Sequence, residues 1–154
     1  MKYILILVFF INLQVISSEY KLSWFPKDKY FDSIKTPENN KFSLINTAGV
    51  WEDNRGSFGV MKCLISLFTK ENKSTDLDGF CEADDINGNS KFWVTLTRNS
   101  LETSGVGKMT YVSGTGIYKN VIGITCAYAV TYLGEYGIIK QKCNKDFISR
   151  LNKE

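Results

Sequence analysis

From residue 42 onward, short runs of apolar and β-branched residues alternate with clusters of turn-forming residues. Runs of this length, separated by frequent turn signals, are typical of the strands of a β-sandwich or β-barrel. Helical periodicity appears only near the end of the chain, where Phe147, Ile148 and Leu151 can line one side of a short helix. The predicted strands cover residues 42–51, 57–69, 80–84, 91–98, 108–112, 122–133 and 136–142.

The run 122–133 favours a barrel over a sandwich. Its even positions, such as Ile124 and Tyr132, are mostly bulky, its odd positions, such as Ala127, are small, and neither face carries a charge. A strand covered on both sides has this composition, and so does a barrel strand whose small side faces a lumen or a packed layer. We therefore predict an all-β fold over residues 42–154: an antiparallel, closed or nearly closed β-barrel of about eight strands with a short C-terminal helix.

The first 18 residues have the order of a secretory signal peptide. A short positive start is followed by an apolar stretch over residues 4–16 and by two small residues, Ser17 and Ser18. The apolar stretch is short for a bilayer-spanning helix, which needs about 20 residues; the alternative is an uncleaved N-terminal anchor. The pattern predicts a secreted or periplasmic protein with no transmembrane segment in the mature chain.

Residues 19–41 lack the strand pattern and contain both prolines of the chain, Pro26 and Pro37. We interpret this segment as an extended N-terminal arm, laid across the barrel by its aromatic residues Trp24, Phe25 and Phe31.

An oxidising destination makes the four cysteines candidates for two disulfides. Cys63 and Cys81 lie symmetrically about a polar loop, and Cys126 and Cys143 lie symmetrically about an expected turn. Residues equidistant from a hairpin turn face each other at a distance that a disulfide can span. The spacing therefore predicts the pairs Cys63–Cys81 and Cys126–Cys143. A zinc site or a redox pair is the alternative, but the chain has no C-x-x-C motif.

Composition narrows the chemistry further. The chain has 154 residues, 19 basic and 16 acidic side chains, a net charge of +3 and no histidine. Its length fits one domain. Without histidine, the chain contains no Ser-His-Asp or Cys-His catalytic unit and no imidazole metal ligand. The small, scattered positive charge does not indicate a nucleic-acid partner, and no metal or other cofactor is predicted.

The most distinctive stretch runs from Tyr111 to Gly123, where a strand ends in the turn Gly114-Thr115-Gly116 and Tyr118 follows. It resembles the loop between late strands of allene oxide cyclase and dirigent-type barrels, and a group of small secreted bacterial barrel proteins. The resemblance covers about residues 45–142. It implies a barrel whose lumen, in the cyclases, holds a hydrophobic oxylipin near a carboxylate. Further matching positions are Trp51, Asp53, Gly56 and Gly59, then Cys81, Asp84 or Asp85, and Gly88.

Glu82 is the candidate carboxylate for chemistry. Counting about the Asn87-Gly88 turn places it opposite Trp93. If this face points inward, Glu82 lies in an aromatic pocket with a raised pKa, suited to proton transfer or to holding a polar ligand group, with Tyr128 nearby. In the alternative, Glu82 faces water while Cys81, Ala83, Phe92 and Val94 face the core. That set is uniformly apolar, which favours the alternative.

Other motifs are weaker. The stretch from Asp84 to Asn89 resembles a calcium loop but lacks the acidic residue at its twelfth position, so a solvated turn is favoured. Gly114-Thr115-Gly116 lacks the features of a phosphate loop and is interpreted as a structural turn. Arg98 and Glu102 could form an ion pair at the rim. Asn72 begins an N-glycosylation sequon, relevant only in a eukaryotic host.

Three functions remain open on the sequence. The first is an exported barrel that binds a small apolar ligand or acts as an interaction module. The second is a cofactor-free isomerase or lyase of the cyclase kind, with Glu82 and Tyr128 near the substrate. The third is a structural protein with a solid core. An enzyme is the less favoured class, and the volume of the lumen should separate the first two from the third.

Overall fold

The computed structural model describes residues 19–71, 73–101 and 103–153, apart from the side chains of Tyr30 and Phe31. The proposed signal peptide, Asn72 and Glu102 lie outside the described residues. The eight strands are β1 (Tyr20–Lys35), β2 (Lys41–Asp53), β3 (Phe58–Thr69), β4 (Ser74–Asp85), β5 (Lys91–Leu101), β6 (Ser104–Gly114), β7 (Thr125–Leu133) and β8 (Tyr136–Cys143). A 3₁₀ helix (Gly116–Val121) links β6 to β7, and helix α1 (Lys145–Leu151) follows β8.

The strands form one closed antiparallel barrel in chain order, which confirms the predicted fold class. Each strand pairs with the next, and β1 also pairs with β8, where Tyr20 lies opposite Cys143. The hairpin turns β1–β2, β3–β4, β5–β6 and β7–β8 mark one end, here called the upper end. The 3₁₀ helix, α1 and the start of β1 lie at the lower end.

The prediction of an N-terminal arm over residues 19–41 is wrong, because most of this segment is the barrel strand β1. Pro26 lies opposite Gly49 of β2, and it falls where the pairing of β1 with β8 is interrupted between Trp24 and Lys27. A proline is tolerated at such a break, where its missing N–H removes no hydrogen bond from that ladder. Pro37 lies in the turn between β1 and β2.

Residues along each strand alternate between the barrel interior and the solvent, as the two-residue period of a strand requires. Both pairs of cysteines face inward and form the predicted disulfides, Cys63–Cys81 and Cys126–Cys143. The Cα–Cα distances are 4.1 and 4.6 Å, because the members of each pair lie directly opposite one another on adjacent strands. Each bridge therefore joins the two strands of one hairpin.

Aromatic side chains close the lower end. Phe147 of α1 stacks on Tyr20 with ring centroids 4.4 Å apart and also contacts Tyr111. The Asn144 side chain accepts a hydrogen bond from the Phe147 N–H and so caps the first turn of α1. The helix thus covers the lower opening with apolar surface. No helix within the described part of the chain is long and apolar enough to cross a bilayer.

Replacing Cys63 and Cys81 together by alanine should lower the free energy of unfolding by about 3 kcal/mol, since the bridge closes a loop of 18 residues in the unfolded chain. Urea denaturation of the variant and the wild-type protein measures the difference. The Cys126→Ala/Cys143→Ala variant is the matched comparison, because its loop of 17 residues predicts a similar loss. An unchanged urea midpoint in both variants would contradict the stabilising role of the bridges.

Candidate functional site

The interior of the barrel is packed with side chains rather than open as a lumen. Large residues such as Trp24, Trp51 and Phe92 are almost completely buried. The cavity at the upper end measures about 100 Å³, well below the several hundred cubic ångströms typical of small-molecule sites. The sequence predicts a small apolar ligand inside the barrel. Among the described residues, the interior cavity at the upper end is too small to hold one.

Tyr128 points into this packed interior and is 3% exposed. Burial raises the pKa of its phenol to about 12, although the charge of Arg98 acts in the opposite direction. The phenol therefore remains protonated at physiological pH.

Glu82 lies on the outer wall of the barrel. The structure therefore has the second of the two predicted arrangements, in which Glu82 faces water and its apolar neighbours face the core. Its carboxylate pairs with Lys62 at 2.9 Å and lies 4.0 Å from Lys91. Trp93 is directly opposite Glu82 on β5 and is likewise outward-facing. Cys81, Ala83, Phe92 and Val94 are buried on the opposite face of these strands. The structure thus brings Glu82 and Trp93 together, but the barrel wall separates both from Tyr128.

Asp84 and Asp85, which follow Glu82, stabilise the hairpin between β4 and β5. The Asp84 carboxylate pairs with Lys91 at 2.7 Å, and Asp85 Oδ1 accepts a hydrogen bond from the Asn89 N–H. In the ranges that the structure covers, no three carboxylate or thiol groups converge as metal ligands would. These contacts fit the solvated turn that the sequence favoured.

The Gly114-Thr115-Gly116 segment is a structural turn. Thr115 Oγ1 accepts a hydrogen bond from the Lys91 N–H, and Tyr118 is buried against Phe92 with ring centroids 4.7 Å apart. Gly116 has a φ of +54°, and a Cβ there would lie 2.2 Å from Ser90 Oγ. Only glycine fits this position without displacing its neighbours.

Two buried ionisable residues, Asp28 and Arg98, lie at the upper end of the interior. Asp28 and Arg98 are 8% and 5% exposed, and both line the small upper cavity. Burial raises the pKa of the Asp28 carboxyl, and hydrogen bonds from Thr47 and Tyr132 and the charge of Arg98 offset this only in part. Arg98 is an inward-facing residue of β5 near the upper end, and its suggested ion pair with Glu102 lies outside the described residues.

A large concavity lies on the outside of the barrel, across strands β1 to β5. It has a volume of about 820 Å³. We call it the outer groove and define it by its solvent-facing residues Asp32, Leu44, Leu64, Ser66, Asp78, Phe80, Thr95 and Thr97. The inward-facing residues Ile45, Ile65, Gly79 and Leu96 also line it. Leu64 is 66% exposed and Phe80 is 51% exposed.

The strand register explains the shape of the outer groove. Leu64 lies opposite Phe80, and the next outward pair toward the upper end is Ser66 with Asp78. The short Ser66 side chain donates a hydrogen bond to the Asp78 carbonyl and stays close to the sheet. A depression therefore forms beside the larger Leu64 and Phe80 side chains.

The sequence contained a signal for these residues. Because consecutive strand residues face opposite sides, the predicted inward Cys63–Cys81 bridge implies that Leu64 and Phe80 face outward. Two large apolar side chains that face solvent next to each other across strands are candidates for a contact surface. The strand pattern alone does not predict this surface, because it places both residues in strands without indicating which face is buried.

A second apolar area lies nearer the lower end of the same wall. We call it the lower apolar patch; it borders a concavity of about 360 Å³. Its members are each 43% to 62% exposed: Phe25, Val50, Phe58, Val60 and Ile86. The outer wall of β1 to β5 thus carries two apolar areas.

No protein-family model and no curated protein matches the chain.

Asp28→Asn should change how stability depends on pH. Because the folded Asp28 carboxyl holds its proton more tightly than the unfolded one, the wild-type protein loses stability as pH rises from the ordinary value of 3.8 through the higher folded pKa. The variant lacks this loss, so its free energy of unfolding should rise relative to that of the wild type as the pH increases above 3.8. Urea denaturation at several pH values measures this difference.

Asp146→Asn, which removes a half-exposed carboxylate of α1, is the control for the loss of one negative charge. Parallel stability profiles for Asp28→Asn and the wild type would show that burial of Asp28 does not disfavour its charged form.

Proposed function

We propose that the protein is an exported, disulfide-stabilised β-barrel that acts as an interaction module and holds an apolar part of a partner in the outer groove. The observation that carries the proposal is the contrast between a packed interior and an outer wall with exposed leucine and phenylalanine side chains around a groove of about 820 Å³. Apolar surface of this kind on an isolated domain is typical of a binding site.

Export is supported by two independent features. The order of residues 1–18 is that of a signal peptide. The two disulfides indicate an oxidising compartment, since such bonds are rare in reducing cytosol. Secretion and a periplasmic location fit both features equally.

A relationship to the allene oxide cyclase and dirigent-type barrels is part of the proposal, supported by the eight-stranded fold and by the glycine turn at residues 114–116. A cyclase-like reaction at Glu82 and Tyr128 is not part of it, because these side chains lie on opposite faces of the wall.

A structural protein with a solid core is the second candidate, and the packed interior favours it. The two candidates differ in one respect: an interaction module binds a partner in the outer groove, and a structural protein does not. Substitutions that change the groove while leaving the core intact therefore separate the two functions.

Leu64→Thr should weaken the binding of Nile red, a neutral dye that fluoresces on apolar surfaces, by about five- to thirtyfold, because the exposed two thirds of the leucine side chain are lost as contact area. Titration of the dye followed by fluorescence measures the affinity. Leu133→Thr is the matched control, since Leu133 of β7 is 73% exposed and lies outside the outer groove. It should bind the dye as the wild type does.

Equal dye binding by the two variants, or no dye binding by the wild type, would contradict the proposal and favour the structural protein. Sedimentation velocity adds a second criterion. A dimer that Leu64→Thr dissociates and Leu133→Thr does not would show that a second copy of the chain, rather than a separate partner, covers the outer groove.

A further inference from the structure

We infer that the partner segment held in the outer groove is a positively charged amphipathic helix. This inference rests on the proposed function and adds the chemistry of the partner. It follows from the charges that line the outer groove, from their spacing and from the closure of the sheet.

The outer groove contains two carboxylates and no basic residue. Asp32 and Asp78 are its charged members, and the other lining residues are apolar, hydroxyl-bearing or glycine. An acidic groove is unusual for this chain, whose net charge is +3. Its charge therefore complements a basic partner rather than an acidic one.

The two groove carboxylates also differ from three other acidic residues of β4. Asp76, Glu82 and Asp84 each pair with a lysine, at 3.0, 2.9 and 2.7 Å respectively. Asp78 forms no ion pair among the described residues, and Asp32 accepts a hydrogen bond only from the adjacent Ser33 N–H. Both carboxylates are exposed, so both remain accessible to cations of a partner.

Their spacing suits a helix. Asp32 lies opposite Leu44, Leu44 opposite Ser66, and Ser66 opposite Asp78. The carboxylates therefore stand at the two ends of one row that crosses three strand spacings, or about 14 Å along the wall. A helix rises about 1.5 Å per residue, so about nine residues span this row. Lysine or arginine near both ends of such a segment reaches the carboxylates, while its apolar face contacts Leu44, Leu64 and Phe80.

The closed sheet excludes the main alternative for a peptide. An extended peptide commonly binds by pairing its main chain with a free strand edge. Strands β2, β3 and β4 pair on both sides along the outer groove. Residues 29–35 of β1 pair only with β2, so their unpaired edge is the one away from the groove. Recognition inside the groove therefore occurs through side chains. An amphipathic helix laid into an apolar groove is the mode of recognition that needs side chains only.

The test uses three synthetic amphipathic helical peptides that share one leucine-rich face and carry lysine, glutamine or glutamate at the polar positions. Fluorescence anisotropy measures their affinities for the full-length protein. The lysine peptide should bind best and the glutamate peptide worst, with a difference of about three- to tenfold between lysine and glutamine, because exposed ion pairs contribute modestly. Raising the salt concentration to about 0.5 M should reduce this difference.

The Asp32→Asn/Asp78→Asn variant should bind the lysine and glutamine peptides with nearly equal affinity while retaining the affinity for the glutamine peptide. The control variant Glu19→Gln/Asp146→Asn also removes two exposed carboxylates, one before β1 and one in α1, both outside the outer groove. It should preserve the preference for lysine, which separates the effect of the groove carboxylates from that of net charge.

The outcomes also distinguish the inference from the proposed function. Equal binding of all three peptides to the wild type, with loss of all three in Leu64→Thr, would overturn the inference and leave the proposed function intact. An equal loss of affinity for all three peptides in Asp32→Asn/Asp78→Asn would likewise overturn the inference and leave the proposed function intact. Failure of every peptide to bind while Nile red still binds at Leu64 overturns the helical partner alone; failure of both overturns the proposed function as well.

Discussion

The pairing of β1 with β8 is the constraint on which the rest of the structure depends. It joins the first and last strands through residues 20–27 of β1 and so closes the sheet, while residues 29–35 of β1 pair only with β2. Once the sheet is closed, every strand has one face toward a shared interior and one toward solvent. The interior faces must then fill a single space of fixed size, which Trp24, Trp51, Phe92 and their neighbours do. Any binding to another molecule is displaced to the outer wall.

The inward and outward faces consequently serve different purposes. The inward face holds both disulfides, the aromatic packing at the lower end and the buried Asp28 beside Arg98. The outward face carries the lysine–carboxylate pairs, the lower apolar patch and the outer groove. Glu82 illustrates the separation, because a shift of one residue in the register of β4 would have exchanged its position with that of Cys81.

Several parts of the fold followed from the sequence for clear physical reasons. Strand residues alternate, so the spacing of Cys63 and Cys81 about one turn was sufficient to predict their bridge. The uniformly apolar character of Ala83, Phe92 and Val94 likewise favoured an outward Glu82. Such inferences need only the local geometry of a hairpin.

Other parts depend on contacts that the sequence does not reveal. Strand β1 was missed because its proline suggested an arm, whereas Pro26 falls at a break in the ladder to β8, a partner more than 100 residues away in sequence. The outer groove was missed because Leu44, Leu64 and Phe80 are large apolar residues, a type that is usually buried in the core. The Cys63–Cys81 bridge implies the outward direction of Leu64 and Phe80, but that they form one groove with Leu44 becomes evident only from the register across the strands.

The sequence separation of the barrel contacts has a consequence for the order of assembly. Both disulfides join residues 18 and 17 positions apart, so the cysteines of each pair meet as soon as one hairpin has formed. The seam between β1 and β8, in contrast, requires the two ends of the domain to meet and carries the largest loop-closure entropy. Oxidation of the hairpins can therefore precede closure, and a chain truncated before β8 would retain the Cys63–Cys81 bridge but expose the strand edges that the complete barrel conceals.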